Sequence, residues 1–143
     1  MIRKSELSDL DDITVLSEKI WAFSAYEEKF DHEHAKSVIA LSHEQELMCV
    51  LDFDGLQGFI GGLKSPSLGH PDVWVACEAG FWIERRYRKY AQRLIKFMEC
   101  TARLAGIKYW HMSCVEGYNP VLADRMYTKM NYKKVETSYL KVI

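Results

Sequence analysis

The stretch that most constrains this chain is FWIERRYRKYAQRLIKFM, residues 81–98. A β-prone apolar run enters a cationic turn, and the turn opens a helix. Ala91, Leu94, Ile95, Met98, Ala102 and Ala105 fall on one helical stripe, and Gly106 is placed to end it. Such a stripe needs a core to pack on, so the unit predicts a helix laid against a sheet. Arg85, Arg86, Arg88, Lys89 and Arg93 stand there against the single acid Glu84. The first turn of a helix carries unpaired N–H groups and partial positive charge, so acids are the usual residues at that place. A run of cations there fits an anion held between them, with successive turn N–H groups forming a nest for it. The alternative is a solvated basic face or a nucleic-acid patch.

The rest of the chain supplies the sheet. Ile2 to Lys4 reads as a short strand. Ser8 or Asp9 caps a helix with Leu10, Ile13, Leu16 and Ile20 at helical spacing, and a second helix is expected from Asp31 to Ser42. Leu47 to Phe53 and Leu56 to Leu63 are strands joined by the hairpin pair Asp54-Gly55. KSPSLGHPD, residues 64–72, is a loop by composition. Val73 to Ile83 is the longest strand, and Gly80 marks a bulge or a close backbone approach in it. Ile107 to Val115 reads as a strand, Leu122 to Met130 as a helix stopped by Asn131, and Tyr132 to Ile143 as two short β-prone pieces. This is an α/β chain with a twisted mixed sheet flanked by about four helices.

The 143 residues fit one domain spanning 1–143, able to bury roughly two thirds of its unfolded surface without a staple. A formal net charge of −1 argues against an electrostatic nucleic-acid binder. No apolar run approaches the ~20 residues of a membrane span, and the acidic start MIRKSELSDLDD lacks the apolar core of a signal peptide. Cys49, Cys77, Cys100 and Cys114 lack C-x-x-C spacing and sit in apolar contexts, so four buried reduced thiols and a cytoplasmic setting are expected. His32 and His34 have no partners to complete a metal site, and no metal is expected. His111 alternates with apolar residues as a packed side chain would. Trp21, Phe23, Tyr26 and Phe30 form an aromatic group between the first two helices.

The basic turn and the residues around it resemble the GNAT superfamily of N-acetyltransferases. The family's hallmark is a strand, then [R/Q]-x-x-G-x-[G/A], then an amphipathic helix, the turn holding the pyrophosphate of acetyl-CoA. Residues 86–91 fit this pattern with Lys89 at the middle glycine. Residues 88–93 fit with Ala91 there and Arg93 last. The first register gives the familiar helix length. ADRMYTKMNYKKVETSYLKVI, residues 123–143, is similar to the family's closing helix, Y-x-K-x-G-Y segment and β-hairpin, with Asn131 for the glycine. The resemblance covers residues 46–143, and residues 1–45 match only in element order. In its basic turn and short C-terminus the chain is similar to acetyltransferases of phages and prophages.

The resemblance implies acetyl-CoA as cosubstrate and assigns roles. Trp82, Ile83, Arg86, Arg88, Lys89, Tyr90, Ala91 and Gln92 are the implied cofactor-binding residues, with the main chain near Trp82 and Ile83 polarising the thioester carbonyl. Asn119 either contacts the pantetheine or starts the next helix ahead of Pro120. Tyr127 stands where the family places a general acid for the departing thiolate, or packs as a helix aromatic. Glu78 is a carboxylate in an otherwise apolar strand, and burial raises the pKa of such a group toward that of a general base. Its alternative is a paired structural carboxylate. The aromatic group at Trp21 to Phe30 is core, or a wall of the acceptor pocket.

The expected function is acetyl transfer from acetyl-CoA to a primary amine by direct attack in a ternary complex. The acceptor is open among amino acid, polyamine, aminoglycoside, peptide N-terminus and protein lysine. No nucleic acid or membrane is expected as partner, and a homodimer is compatible. The broken glycine motif leaves a non-catalytic CoA-binding module as one alternative. RRYRKYAQR as a nucleic-acid-binding helix is the other.

Overall fold

The computed structural model describes residues 1–143. Its elements are β1 (Ile2–Lys4), α1 (Leu10–Trp21), α2 (His32–Glu44), β2 (Met48–Asp52), β3 (Leu56–Ser67), β4 (His70–Ile83), α3 (Ala91–Leu104), β5 (Tyr109–His111) and α4 (Pro120–Lys129). Short 3-10 helices precede α1 (Leu7–Asp9) and α3 (Arg85–Tyr90). The sheet order follows the chain, β1-β2-β3-β4-β5. Its first four strands pair antiparallel, and β4 pairs with β5 in parallel.

Strand alternation sorts the core into two layers. Cys49, Leu51, Ile60 and Ala76 pack under α3 with Leu94, Ile95, Met98 and Ala102, the stripe expected from sequence. Met48, Val50 and Phe59 point the other way, onto Leu10, Ile13 and Leu16 of α1 and Ile39 of α2. Each such Leu or Ile contributes about 1.5–3 kcal/mol when fully buried. Met126, Tyr127, Met130 and Tyr132, from α4 and just past it, pack against the α3 layer, so α3 and α4 share a face.

Several boundaries differ from the sequence expectation. Residues 64–72 are not a loop: β3 reaches Ser67, β4 starts at His70, and Lys64 pairs with Ala76, Ser65 with Val75 and Pro66 with Trp74. Pro, Ser and Gly there mark only the Leu68-Gly69 turn, and pairing with the longest strand overrides the local composition. The strand at 107–115 shrinks to Tyr109–His111, and the β-prone pieces after Tyr132 form no strand. Asp9 does not cap α1. Its carboxylate takes two bonds from Arg3, at 2.7 and 3.0 Å, and one from the Glu6 N–H at 2.7 Å. Of the four cysteines only Cys49 is buried. Cys100 lies on the outer face of α3, Cys77 on the face opposite Ala76, and Cys114 beyond β5, and all four are free thiols. No helix is long and apolar enough to cross a membrane.

Candidate active site

Gly80 stands at the bulge expected of it, and what approaches it closely is a side chain rather than another backbone. Gly61 pairs with Gly80 and Gly62 with Glu78, leaving Ala79 as the extra residue of a β-bulge. A Cβ on Gly80 would lie 2.9 Å from the Phe59 ring. The bulge reverses the parity of β4, so that Ala76 before it and Phe81 and Ile83 after it reach the same layer. Pairing with β5 ends at Cys77 and His111, and residues 78–83 run on without a β5 partner. The two parallel strands therefore part at Glu78.

Glu78 shares parity with Ala76 and faces the layer of α3 and α4. No cation pairs with it. Its Oε2 accepts from the Ser113 N–H at 3.3 Å. Burial pushes its pKa up to about 7, against a smaller opposing effect of that hydrogen bond. Tyr127 comes to the same residue from α4, its hydroxyl donating to the Ser113 carbonyl at 2.9 Å. Burial, then the charges of Glu78 and Cys114, raise the Tyr127 phenol well above the ordinary tyrosine range. The ring lies tilted on Tyr132, with centroids 5.7 Å apart.

The basic turn is a 3-10 helix, and no residue between Glu84 and Arg93 has a positive φ. The backbone here does not enter the region that favours glycine, so neither Lys89 nor Ala91, the residues expected at the middle glycine in the two alternative registers, is strained. Tyr87 and Tyr90 anchor the turn inward on Phe53, at 5.3 and 5.1 Å between centroids. Arg85, Arg86, Arg88 and Lys89 stand exposed outside it. The helix α3 begins at Ala91 with no side-chain cap and no acid in its first turn. The starts of α2 and α4 are closed instead by Asp31 and Asn119, which accept from the N–H groups of His34 and Leu122. Asn119 therefore uses its carbonyl oxygen as the N-cap of α4, in a left-handed conformation (φ 44°) with Pro120 following. Gln92 is exposed in the open first turn of α3.

Trp82 sits at the end of β4 in an aromatic stack, 6.1 Å from Phe23 and 5.4 Å from Tyr118 between centroids. Arg88 lies over the Tyr118 ring and bonds its hydroxyl. Gly117 abuts the α1–α2 loop so closely that a Cβ would fall 2.7 Å from the Phe23 carbonyl oxygen. The Trp82 Nε1 is buried without a partner. Trp21, at the end of α1, forms a separate cluster with Tyr26 and Phe30 of that loop. Glu78 stands out in sequence as a carboxylate in an apolar strand and Tyr127 through the family resemblance, and the two meet at Ser113. Ser113 escapes such reading because both bonds run through its main chain. Tyr118 escapes it because an aromatic ahead of a helix start is unremarkable. The one available cue is the Gly117-Tyr118-Asn119-Pro120 punctuation.

No family model matches the sequence, and no curated protein does. Solved structures match throughout. A predicted acetyltransferase from Clostridium acetobutylicum with acetyl-CoA aligns over 100% of this chain and 95% of its own, with TM-score 0.75 and 11% identity. A ribosomal-protein-alanine N-acetyltransferase from Brucella melitensis biovar Abortus 2308 aligns over 100% and 99%, with TM-score 0.73 and 13% identity. A transcriptional regulator from Bacillus halodurans C-125 aligns over 100% and 99%, with TM-score 0.74 and 14% identity. At such identities the likeness carries architecture. The chain has a GNAT-like fold, a mixed five-stranded sheet flanked by four helices.

Proposed function

We propose that this chain is a cytoplasmic N-acetyltransferase that moves acetyl from acetyl-CoA to a primary amine by direct attack in a ternary complex. The observation that carries the reading is the meeting of Glu78 and Tyr127 on Ser113, where β4 and β5 part. The residues fit the cosubstrate. The open first turn of α3 and the exposed Arg86, Arg88 and Lys89 suit a pyrophosphate. Residues 78–83 of β4, free of β5, leave a main-chain edge for an amide-bearing arm. Acetyl-CoA supplies the activated thioester. Glu78, with a pKa near 7, takes a proton from the incoming ammonium on its unengaged Oε1. Tyr127 holds a proton on its hydroxyl for the departing sulfur. The main chain near Trp82 and Ile83 offers N–H groups toward the carbonyl. The acceptor class stays as wide as the sequence leaves it. A free basic helix for nucleic acid is disfavoured, because Leu94, Ile95 and Met98 are buried under the sheet.

Thermal unfolding with added CoA tests the reading. A ligand at a hundred times its dissociation constant stabilises by about 2.7 kcal/mol, so Tm rises clearly. No shift at millimolar CoA overturns it. A shift with no acetyl release across an amine panel leaves a CoA-binding module.

A further inference from the structure

Ser113 lies just past β5, in a stretch with neither helix nor strand. Its N–H holds a side chain from β4 and its carbonyl holds one from α4, at 3.3 and 2.9 Å. Glu78 is faced by the Ser113 N–H and by Tyr127; the Cys77 thiol next to it in β4 points to the opposite face, with Glu136 near that thiol. Tyr127 is faced by Glu78, by Cys114 and by the Tyr132 ring. Cys114 has Glu116, Asp124 and the cation Lys134 around it, but no cation acts on Glu78, so its charge is not neutralised locally.

We propose that Ser113 is a positioning residue whose main chain couples the two groups, so that a proton arriving on Glu78 strengthens Tyr127 as an acid. This rests on the reading of Glu78 as base and Tyr127 as acid. An ionised carboxylate favours the neutral phenol beside it, and neutralising the carboxylate removes that preference. Before reaction Glu78 is charged and Tyr127 keeps its proton. The incoming ammonium gives one proton to Glu78, the C–N bond forms, the C–S bond breaks and the nitrogen releases its second proton to water. The thiolate then takes the proton of Tyr127. Afterwards Glu78 releases a proton to water and Tyr127 regains one, so the cycle closes. The acid is thereby strongest once the base has done its part.

The test uses the full chain without CoA or acceptor, so it stands apart from whether acetyl is transferred. In a nitrogen-15 correlation spectrum followed from pH 5 to 9, the Ser113 amide titrates with a midpoint near 7. In Glu78→Gln it is flat. With tyrosine labelled at the ring carbon bearing oxygen, the Tyr127 signal, identified by its loss in Tyr127→Phe, follows the same midpoint and loses it in Glu78→Gln. Ser113→Pro removes the donor and keeps the carbonyl, moving the midpoint read at Tyr127 up by roughly half a pH unit or more. Ser113→Ala leaves it in place. A Ser113 amide or a Tyr127 ring indifferent to Glu78 overturns the coupling. Those two signals decide it even where Ser113→Pro fails to fold.

Discussion

Ionising a carboxylate among apolar neighbours costs stability, and Glu78 is such a residue. Its folded pKa of about 7 lies above the ordinary 4.5, so the native state binds the proton more tightly than the unfolded one. The stabilisation is complete below pH 4.5 and is lost as pH rises through 7. Glu78→Gln mimics the protonated form and keeps an acceptor for Ser113. Its Tm is expected to match wild type near pH 4.5 and to exceed it at pH 8, by a gap worth ~1–3 kcal/mol. Activity moves the opposite way. The variant loses rate most between pH 7, above which Glu78 is ionised and able to take a proton, and the pKa of the acceptor amine, above which the amine arrives free and the defect shrinks. A defect equal at every pH makes Glu78 structural. Tyr127→Phe is expected to lower kcat by about 10²-fold while the CoA Kd hardly changes, measured by steady-state kinetics and calorimetry. Glu78 stands out in the sequence as a carboxylate in an apolar strand, and Tyr127 only through the family resemblance. Their shared attachment was hidden, since a main-chain donor and acceptor leave no mark on residue identity.

At the scale of elements, the turn and helix from Glu84 to Leu104 were the most legible part. The apolar stripe forces the helix onto a core and the cations have nowhere else to point. The absent glycines became intelligible only with the backbone, since a right-handed 3-10 turn does not require them. The arm formed by β3 and β4 beyond Gly62 was illegible for the opposite reason: its Pro, Ser and Gly content speaks of loop, and only strand pairing makes it sheet. The turn carries its own prediction. Arg88 already reaches across to Tyr118, so it is held near the mouth of the gap between β4 and the loop after β5. Removing one charge-assisted hydrogen bond costs about 1.5–3 kcal/mol, so Arg88→Ala is expected to raise the CoA Kd by roughly tenfold or more. It also flattens the dependence of Kd on salt. Arg103→Ala, in the last turn of the same helix, leaves both unchanged. Equal effects from the two variants would reduce the turn to a diffuse basic face.

In the whole molecule, sequence pattern carries furthest where burial enforces it and fails where nothing is buried. The two layers against the sheet follow from the alternation of β2 and β3 and the stripe of α3. The C-terminal stretch has the β-prone composition of a closing hairpin but pairs with no strand, and β5 pairs with β4 alone. From Lys133 onward no main-chain hydrogen bond forms, and Val135, Tyr139, Leu140 and Val142 are exposed. Tyr132 belongs to the core side of that boundary. Its hydroxyl donates to Glu99 of α3 at 2.7 Å, its ring meets Tyr127, and its N–H closes α4 on the Tyr127 carbonyl at 3.0 Å. Ending the chain after Tyr132 is therefore expected to leave Tm within about 2 °C of wild type, because little burial is lost. Ending it after Asn131 removes a packed ring and frees the end of α4. That form is expected to lose ~2–4 kcal/mol, in the range of other large-to-small core changes, and to loosen Tyr127. Calorimetry of the two truncations gives the comparison. If the longer form loses as much as the shorter, the last eleven residues are held by contacts in solution that the free chain ends here do not make. Sedimentation of wild type at several concentrations then tells whether a second copy supplies them.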